Sequence, residues 1–338
     1  MADPTGVPLE RVLSAVREQC PPRYALDGDK TGLQVGRTDR RIDRVLTTLD
    51  LTLEVAEEAR DLGAGLIVSH HAVIFRSLRH LRTDDFKVKI LEVLLKHEIA
   101  VYVPHTAMDV VAGGMNDALA AAVGLLETRF LEETGRDAGV LVTLQAPAGT
   151  ADAIASLCQE RGESLDREGD RIAATLDAKR ARSLAQAIEK RWGVEPHVLR
   201  LESHAPRRGI GRVGKLSSPT SLLDLATRLK TELEAPGVRL VALDPGAKVK
   251  KVAVLCGDGR SFLNAACFAG AQAFVTGDVD HHTALEARAR GLALIDVGHW
   301  ASERHVSTLL CEGLRERLAD EPIEIVQSTV DTQPFRFL

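Results

Sequence analysis

The 338-residue sequence predicts an α/β protein of two or three folding units, too long for one ordinary core. Two patterns carry that expectation. Short runs rich in β-branched residues alternate with amphipathic helices on both sides of the chain's middle, the rhythm of βαβ units and a parallel sheet. Between them lies a compact βαββαβ segment, the ferredoxin-like order, which reads as an insertion. The expected division is 1–135 and 207–338 for the two parts of the core and 136–206 for the inserted unit.

Taken in order, Leu9 to Cys20 is helical, with Leu9, Val12, Leu13 and Val16 on one face and Pro21-Pro22 ending it. The polar, Gly-rich ALDGDKTGLQVG follows. RVLTTLD, Arg44 to Asp50, is a strand, Leu53 to Leu62 a helix, and Gly65 to Ser69 a second strand. That strand runs into His70 and His71. Neighbours on a strand point to opposite faces, so two adjacent imidazoles share a site only where the strand ends and the backbone turns. Lys87 to His97 is the next amphipathic helix, and IAVYVPHTAMD is a strand entering a loop with His105 and Asp109.

The inserted unit, about Gly139 to Leu201, reads as strand VLVTLQA, helix Thr150 to Arg161, strands around Ser164 to Asp177, helix Ala178 to Trp192 and strand PHVLRL. After the Arg207-Arg208-Gly209 turn come helix Leu222 to Leu233, strands VRLVAL and KKVAVLC, the turn GDGRS, helix Phe262 to Ala269, strand AFVTG, helix His282 to Arg290 and strand LALIDVG. His299 opens one more helix, with Glu303 four residues on.

Composition sets the outer limits. At 45% hydrophobic and 27% charged the chain is an ordinary globular protein, and a formal net charge of -5 supplies no field for nucleic acid or an anionic membrane. The five cysteines are scattered without a CxxC, which argues against a disulfide framework or a thiolate zinc site and for a reducing cytoplasm. Neither a signal peptide nor a membrane span is expected.

The polar constellations point to metal. A histidine pair at a strand end and a loop Asp are each common structural features when taken singly, and His299 with Glu303 at i, i+4 also fits a solvated helix face. All of them, however, follow expected buried strands, and open α/β sheets collect their ligands beyond the carboxyl ends of strands. Three imidazoles and two carboxylates exceed the three protein ligands of one catalytic zinc and suit two ions, between which a water becomes a nucleophile. This N/O set allows zinc, iron, manganese, cobalt or nickel. Gly257 to Ser261, GDGRS, reads as a tight turn or an anion cradle before a helix. His281 and His282 open a helix; His80, His97, His197, His204 and His305 read as surface residues.

The segments LDGDKTGLQVG, VLTTLDLT, GLIVSHHAVIF, PHTAMDVVAGGMNDALA, GIGRVGKL, KVAVLCGDGRSF, FVTGDVDHHTALEA, LALIDVGHWASE and TQPFRFL together resemble the GTP cyclohydrolase I type 2 homologs, also described as dinuclear-metal-centre hexameric proteins. The match covers both ends of the chain and leaves the inserted unit outside the minimal family core. The resemblance implies a two-lobed α-β-α core, a homohexamer and a two-metal site. Its ligands carry over to His70 and His71 from HH, Asp109 from HTxxD, and His299 and Glu303 from GHxxxE. Longer members carry an insert resembling trimeric nitrogen-signalling proteins of ferredoxin-like fold. The chain departs from the family pattern at Ala72 (usually Pro), Gly28 (usually Trp), Ala107 (usually Asn) and Asp258 (usually Ser), which bears on substrate contacts and spares every ligand.

The expected function is a metal-dependent hydrolase acting on a nucleotide or similar small molecule, with two divalent ions (zinc, iron or manganese) and with His105 or His282 moving protons. The alternative is a non-catalytic metal-binding assembly or regulatory protein whose inserted unit engages partners.

Overall fold

The computed structural model describes residues 6–136, 140–160, 165–176, 178–201 and 207–337. The chain divides into two compact units, Met1–Thr134 with Gly209–Leu338, and Gly135–Arg208.

The first unit is a stack of helices and two sheets. Its five-stranded sheet has the order Glu324–Gln327, Arg44–Thr48, Leu66–Ser69, Ala100–Val103, Gly32–Val35, parallel except for the last pair. Its six-stranded sheet runs Arg239–Val241, Ala293–Asp296, Ala273–Gly277, Lys248–Asp258, Arg207–Ser221, Leu125–Arg136, with a parallel centre formed by the second, third and fourth strands.

Side-chain alternation along these strands builds the layers. Val45, Leu66, Val68, Ala100 and Tyr102 of one sheet share a core with Val252, Val254, Val275 and Ile295 of the other. Helices Leu9–Gln19, Met115–Val123, Leu222–Glu232 and Val306–Arg317 contribute to that same core. The intervening residues face outward: Leu46, Ile67 and Val101 pack with helices Leu53–Asp61 and Phe86–Lys96, while Ala253, Leu255, Phe274 and Leu294 pack with Leu263–Phe268 and His281–Ala289. Each fully buried Leu or Ile contributes about 1.5–3 kcal/mol. Thr52, Asp85 and Asp280 start three of the outer helices by accepting N–H groups of the first turn.

Several local expectations change. The stretch carrying His105 and Asp109 is not a loop: Thr106–Val110 is a short helix whose first N–H donates to Asp29 Oδ2 at 3.1 Å, a cap supplied from 77 residues away. Part of the Gly-rich ALDGDKTGLQVG is an edge strand, Gly32–Val35. The Arg207-Arg208-Gly209 turn is instead the start of a 15-residue strand, and its neighbour Leu125–Arg136 is a strand with no forerunner in the sequence reading.

The second unit has strands in the order His197–Arg200, Val140–Gln145, Arg171–Leu176, Asp166–Glu168, every neighbouring pair antiparallel. Helices Ala151–Glu160 and Ala178–Trp192 complete a βαββαβ order. Its core is apolar, with Val140, Val142, Ile154, Ile172, Leu184 and Ile188 among its members. The helix and strand ends expected at Arg161, Ser164 and Asp177, and His204, lie outside the described residues.

Candidate metal centre

Strand ends of both sheets in the first unit supply one cluster of side chains. His70 and His71 follow Leu66–Ser69, and their N–H groups donate to Thr48 O and Leu49 O at 3.0 and 2.9 Å, so the backbone turns away only after both. His105 follows Ala100–Val103 and sits at φ +40°, a region L-residues rarely adopt, at the entrance to Thr106–Val110. From the other sheet, His299–Glu303 begins just beyond Ala293–Asp296 and places both polar groups on one face.

Glu303 Oε2 lies 3.1 Å from His71 Nε2 and 3.0 Å from His299 Nε2, and the two nitrogens are 3.4 Å apart. Neither contact to the carboxylate is aligned as a hydrogen bond, so Glu303 Oε2 is buried without a donor. Three ligands of a tetrahedral ion at about 2.0–2.1 Å would stand about 3.3 Å from one another. This triangle therefore has the dimensions of a metal ligand face. A second group, His70, His71 and His105, also brings its ligand atoms within 4.8 Å of one another and shares His71 with the first. Asp109 is in neither group; its Oδ1 stands 4.0 Å from His70 Nε2 and, like His70 Nδ1, is buried without a partner. Such orphaned polar atoms are costly unless something else engages them.

Three of the four rings have their Nδ1 held by a carboxylate. Asp50 Oδ1 is 2.7 Å from His71 Nδ1, Asp278 Oδ2 is 2.8 Å from His299 Nδ1, and Asp29 Oδ1 is 2.5 Å from His105 Nδ1. A carboxylate on Nδ1 favours a proton there, so that the neutral ring would offer its Nε2 lone pair inward, the orientation that metal-ligating histidines use. Sequence reasoning missed all three aspartates. Asp50 and Asp278 each follow a parallel strand, as the clustered histidines do, and that position was the available signal.

Charge in the site is strongly perturbed. For His71, burial opposes protonation, but Asp50 and Glu303 outweigh it and raise the imidazole from 6.5 to about 10. His299 rises to about 9 against the same burial, through Glu303 and Asp278. His70, fully enclosed, is pushed well below its usual value by desolvation. Asp109 is pushed well above the carboxylate range by burial and then by Glu303. Glu303 is held low, its burial overcome by the imidazoles of His299 and His71. A divalent cation would compensate the carboxylates and replace the protons on both rings.

Other elements keep the cluster in place. Asn116, fully buried, donates to Asp109 O at 3.0 Å and accepts from Cys256 N at 3.0 Å, tying the helix of Asp109 to the strand Lys248–Asp258. Gly257 has φ +65°, and a Cβ there would fall 2.2 Å from Glu303 Oε1. A glycine there admits that carboxylate, and Arg260 of the same GDGRS turn pairs with Asp258 at 2.5 Å and Asp280 at 2.9 Å. His282 is exposed, with its ring against His281 at 5.5 Å, and belongs to neither cluster. His80, His97 and His197 are exposed as expected, whereas His305 is half-buried and its imidazole is lowered by desolvation.

Beside His71 and His299 opens a cavity of about 700 Å³. Apolar Trp300, Phe335, Phe337 and Pro236 line it together with Asp50, Asp278 and Arg239, and Ala72 stands on its wall. No described helix is long and apolar enough to cross a membrane.

The family model described as Duf34/NIF3 (NGG1p interacting factor 3) matches residues 7–334. A Bacillus subtilis protein named GTP cyclohydrolase 1 type 2 homolog is 31% identical over 97% of this chain and 98% of its own length, and a Streptococcus pneumoniae protein of the same name is 28% identical over 97% and 98%. Among solved structures, a Bacillus cereus protein related to NIF3 superposes with a TM-score of 0.85 at 31% identity, covering 99% of this chain and 100% of that one. Reduced HcgD from Methanocaldococcus jannaschii, 20% identical with a TM-score of 0.64 over 97% of this chain and 100% of its own, shares the fold. With the strand-end histidines, the inward carboxylates and this match along nearly its whole length, the chain belongs to the Duf34/NIF3 family.

Proposed function

We propose that the chain binds two divalent transition-metal ions and hydrolyses a small molecule, a nucleotide or similar compound being the class that its relatives' name suggests. The triangle of His71 Nε2, His299 Nε2 and Glu303 Oε2 carries this reading. His70, His105 and Asp109 are the donors available to the second ion. When bound, such ions lower the pKa of a water and polarise the substrate. Asp50, Asp278 and Asp29 fix the tautomers of the three imidazoles they hold. Of the two expected proton carriers, His282 stands outside both clusters and His105 is among the donors to the second ion.

The proposal includes a two-lobed α-β-α core, supported by the two layered sheets, and a ferredoxin-like insertion, supported by the strand order and antiparallel pairing of the second unit. A symmetric homohexamer in the cytoplasm rests on the family resemblance.

The test is elemental analysis after reconstitution with zinc, manganese or iron, followed by a screen of GTP, phosphoesters and amides. About two ions per chain and turnover of one class are expected. Trace metal alone would end the reading, and full occupancy without turnover would favour a metal-binding assembly protein. Light scattering gives the assembly state, and a monomer near 36.6 kDa with metal bound would remove the ring.

A further inference from the structure

The last residues of the described chain are fastened across the metal cluster. After the strand Glu324–Gln327, Ser328 and Thr329 donate three hydrogen bonds to Glu58: Ser328 Oγ to Oε2 at 2.5 Å, Thr329 N to Oε1 at 2.8 Å, and Thr329 Oγ1 to Oε1 at 2.6 Å. Thr332 Oγ1 then donates to Asp50 Oδ2 at 2.7 Å, the oxygen that His71 does not use. Residues 332–335 and Phe337 line the cavity beside His71 and His299. At its end the Phe337 ring covers Gly237, where any Cβ would fall 2.7 Å from two ring carbons. The segment thus begins on the five-stranded sheet and ends on a loop just before Arg239–Val241 of the six-stranded one.

We propose that Thr332 is a positioning residue for the metal centre and that Phe337 closes the cavity wall over it. A carboxylate holding an imidazole by one oxygen is free to swing unless its second oxygen is also engaged. Thr332 supplies that second bond, so Asp50 presents a fixed acceptor to His71 Nδ1. His71 is the ligand common to both clusters, and the effect of Thr332 reaches both. The alkyl part of Thr332 is not what matters here; the hydroxyl is, because it is the donor. Phe337 contributes by occupying space: packed on Gly237, it narrows the path between solvent and the ligand atoms.

The inference rests on the metal reading above, and the tests separate the two. Zinc and manganese affinities of the full-length protein, measured by calorimetry, are compared for wild type, Thr332→Val and Thr332→Ser. Partners of a metal-ligating histidine are worth about 10–100-fold in affinity, and Thr332, one bond farther out, is expected near the lower end, about tenfold. Thr332→Ser keeps the donor and should bind within about twofold of wild type, whereas Thr332→Val, nearly the same shape, should not. Phe337→Ala should bind within about twofold as well, yet lose metal to a chelator several-fold faster, because only access has changed. Wild type that takes up metal while Thr332→Val matches it would overturn the positioning role alone; a wild type that takes up none would overturn the metal reading and this one with it. Stripping of Phe337→Ala at the wild-type rate would remove the wall. If both Thr332→Val and a chain ended after Asp331 fail to fold in the metal-free state, the segment is a structural element and the proposal fails.

Discussion

The two units bury different things. The described residues of Gly135–Arg208 enclose an apolar core, while the buried polar or charged residues among those described, including Ser69, His70, Asn116, Asp296, Ser302 and Glu303, fall in the other unit, with His70 and Glu303 in the histidine cluster itself. Both units use strands and helices of the same kinds, so the contrast does not come from architecture. It comes from what each interior is asked to hold. Enclosing an imidazole or carboxylate without full pairing costs stability, and a protein that keeps several in one place marks that place as its working site.

The largest effect that would sharpen this contrast comes from Glu303. Glu303→Ala removes the carboxylate facing two imidazoles raised toward 9 and 10, and the metal-free protein should lose stability at neutral pH in denaturant unfolding, because each ring then keeps only its aspartate, Asp50 or Asp278. Metal occupancy should fall to trace levels, and Asp109→Ala should follow closely. Retained metal and stability in Glu303→Ala would erase the distinction between the two interiors. Next in size is Asp278→Asn, which leaves His299 without its anionic anchor; metal affinity should weaken about 10–100-fold by calorimetry while the fold persists.

A pH series tests the same comparison more gently. His71 and His299 have folded-state values above the ordinary 6.5, so their contribution to stability is fully present below 6.5 and is lost as pH rises through about 9 and then about 10. Metal-free protein should therefore become easier to unfold with denaturant between pH 7 and 10. Metal affinity should tighten over the same interval as protons cease to compete for the two rings. A flat affinity profile would place the rings outside the ligand set. The smallest effect belongs to the other unit: replacing residues 139–201 by a short flexible linker should leave metal stoichiometry unchanged and affinity within about twofold. Aggregation at every linker length would show that the inserted unit is integral to its host.

Much of the candidate site was legible because its side chains follow strands. IVSHHAVIF announced its strand by composition and its site by two imidazoles where the strand stops, and the His299–Glu303 spacing announced a helix face. The anchoring aspartates were not legible in the same way. Asp50, Asp278 and Asp29 are single acidic residues near turns, and nothing local says that their carboxylates reach a ring 21, 21 or 76 residues distant. The helix Thr106–Val110 was hidden for a related reason, since its cap is remote. Strands Leu125–Arg136 and Arg207–Ser221 lack clean alternation: one carries charge along much of its length, and the other begins with two arginines and has glycine at 209, 211 and 214, which imitates a turn. Their pairing within the six-stranded sheet, a long-range property, overrides that local signal.

The strand Glu324–Gln327 pairs in parallel with Arg44–Thr48, and helix Val306–Arg317 packs with Leu9–Gln19 in the shared core. Synthesis runs from the amino end, so a nascent chain that has displayed His70, His71 and His105 still lacks the edge of its first sheet until residues 324–327 leave the ribosome. The early half exposes the open flank of Arg44–Thr48 for nearly the whole of translation, a surface that chaperones must shield or that invites pairing with another chain. Such distant closures are slow, and they come last. His299 and Glu303 likewise meet His71 only after most of the chain has been made, so that triangle is a late product of folding.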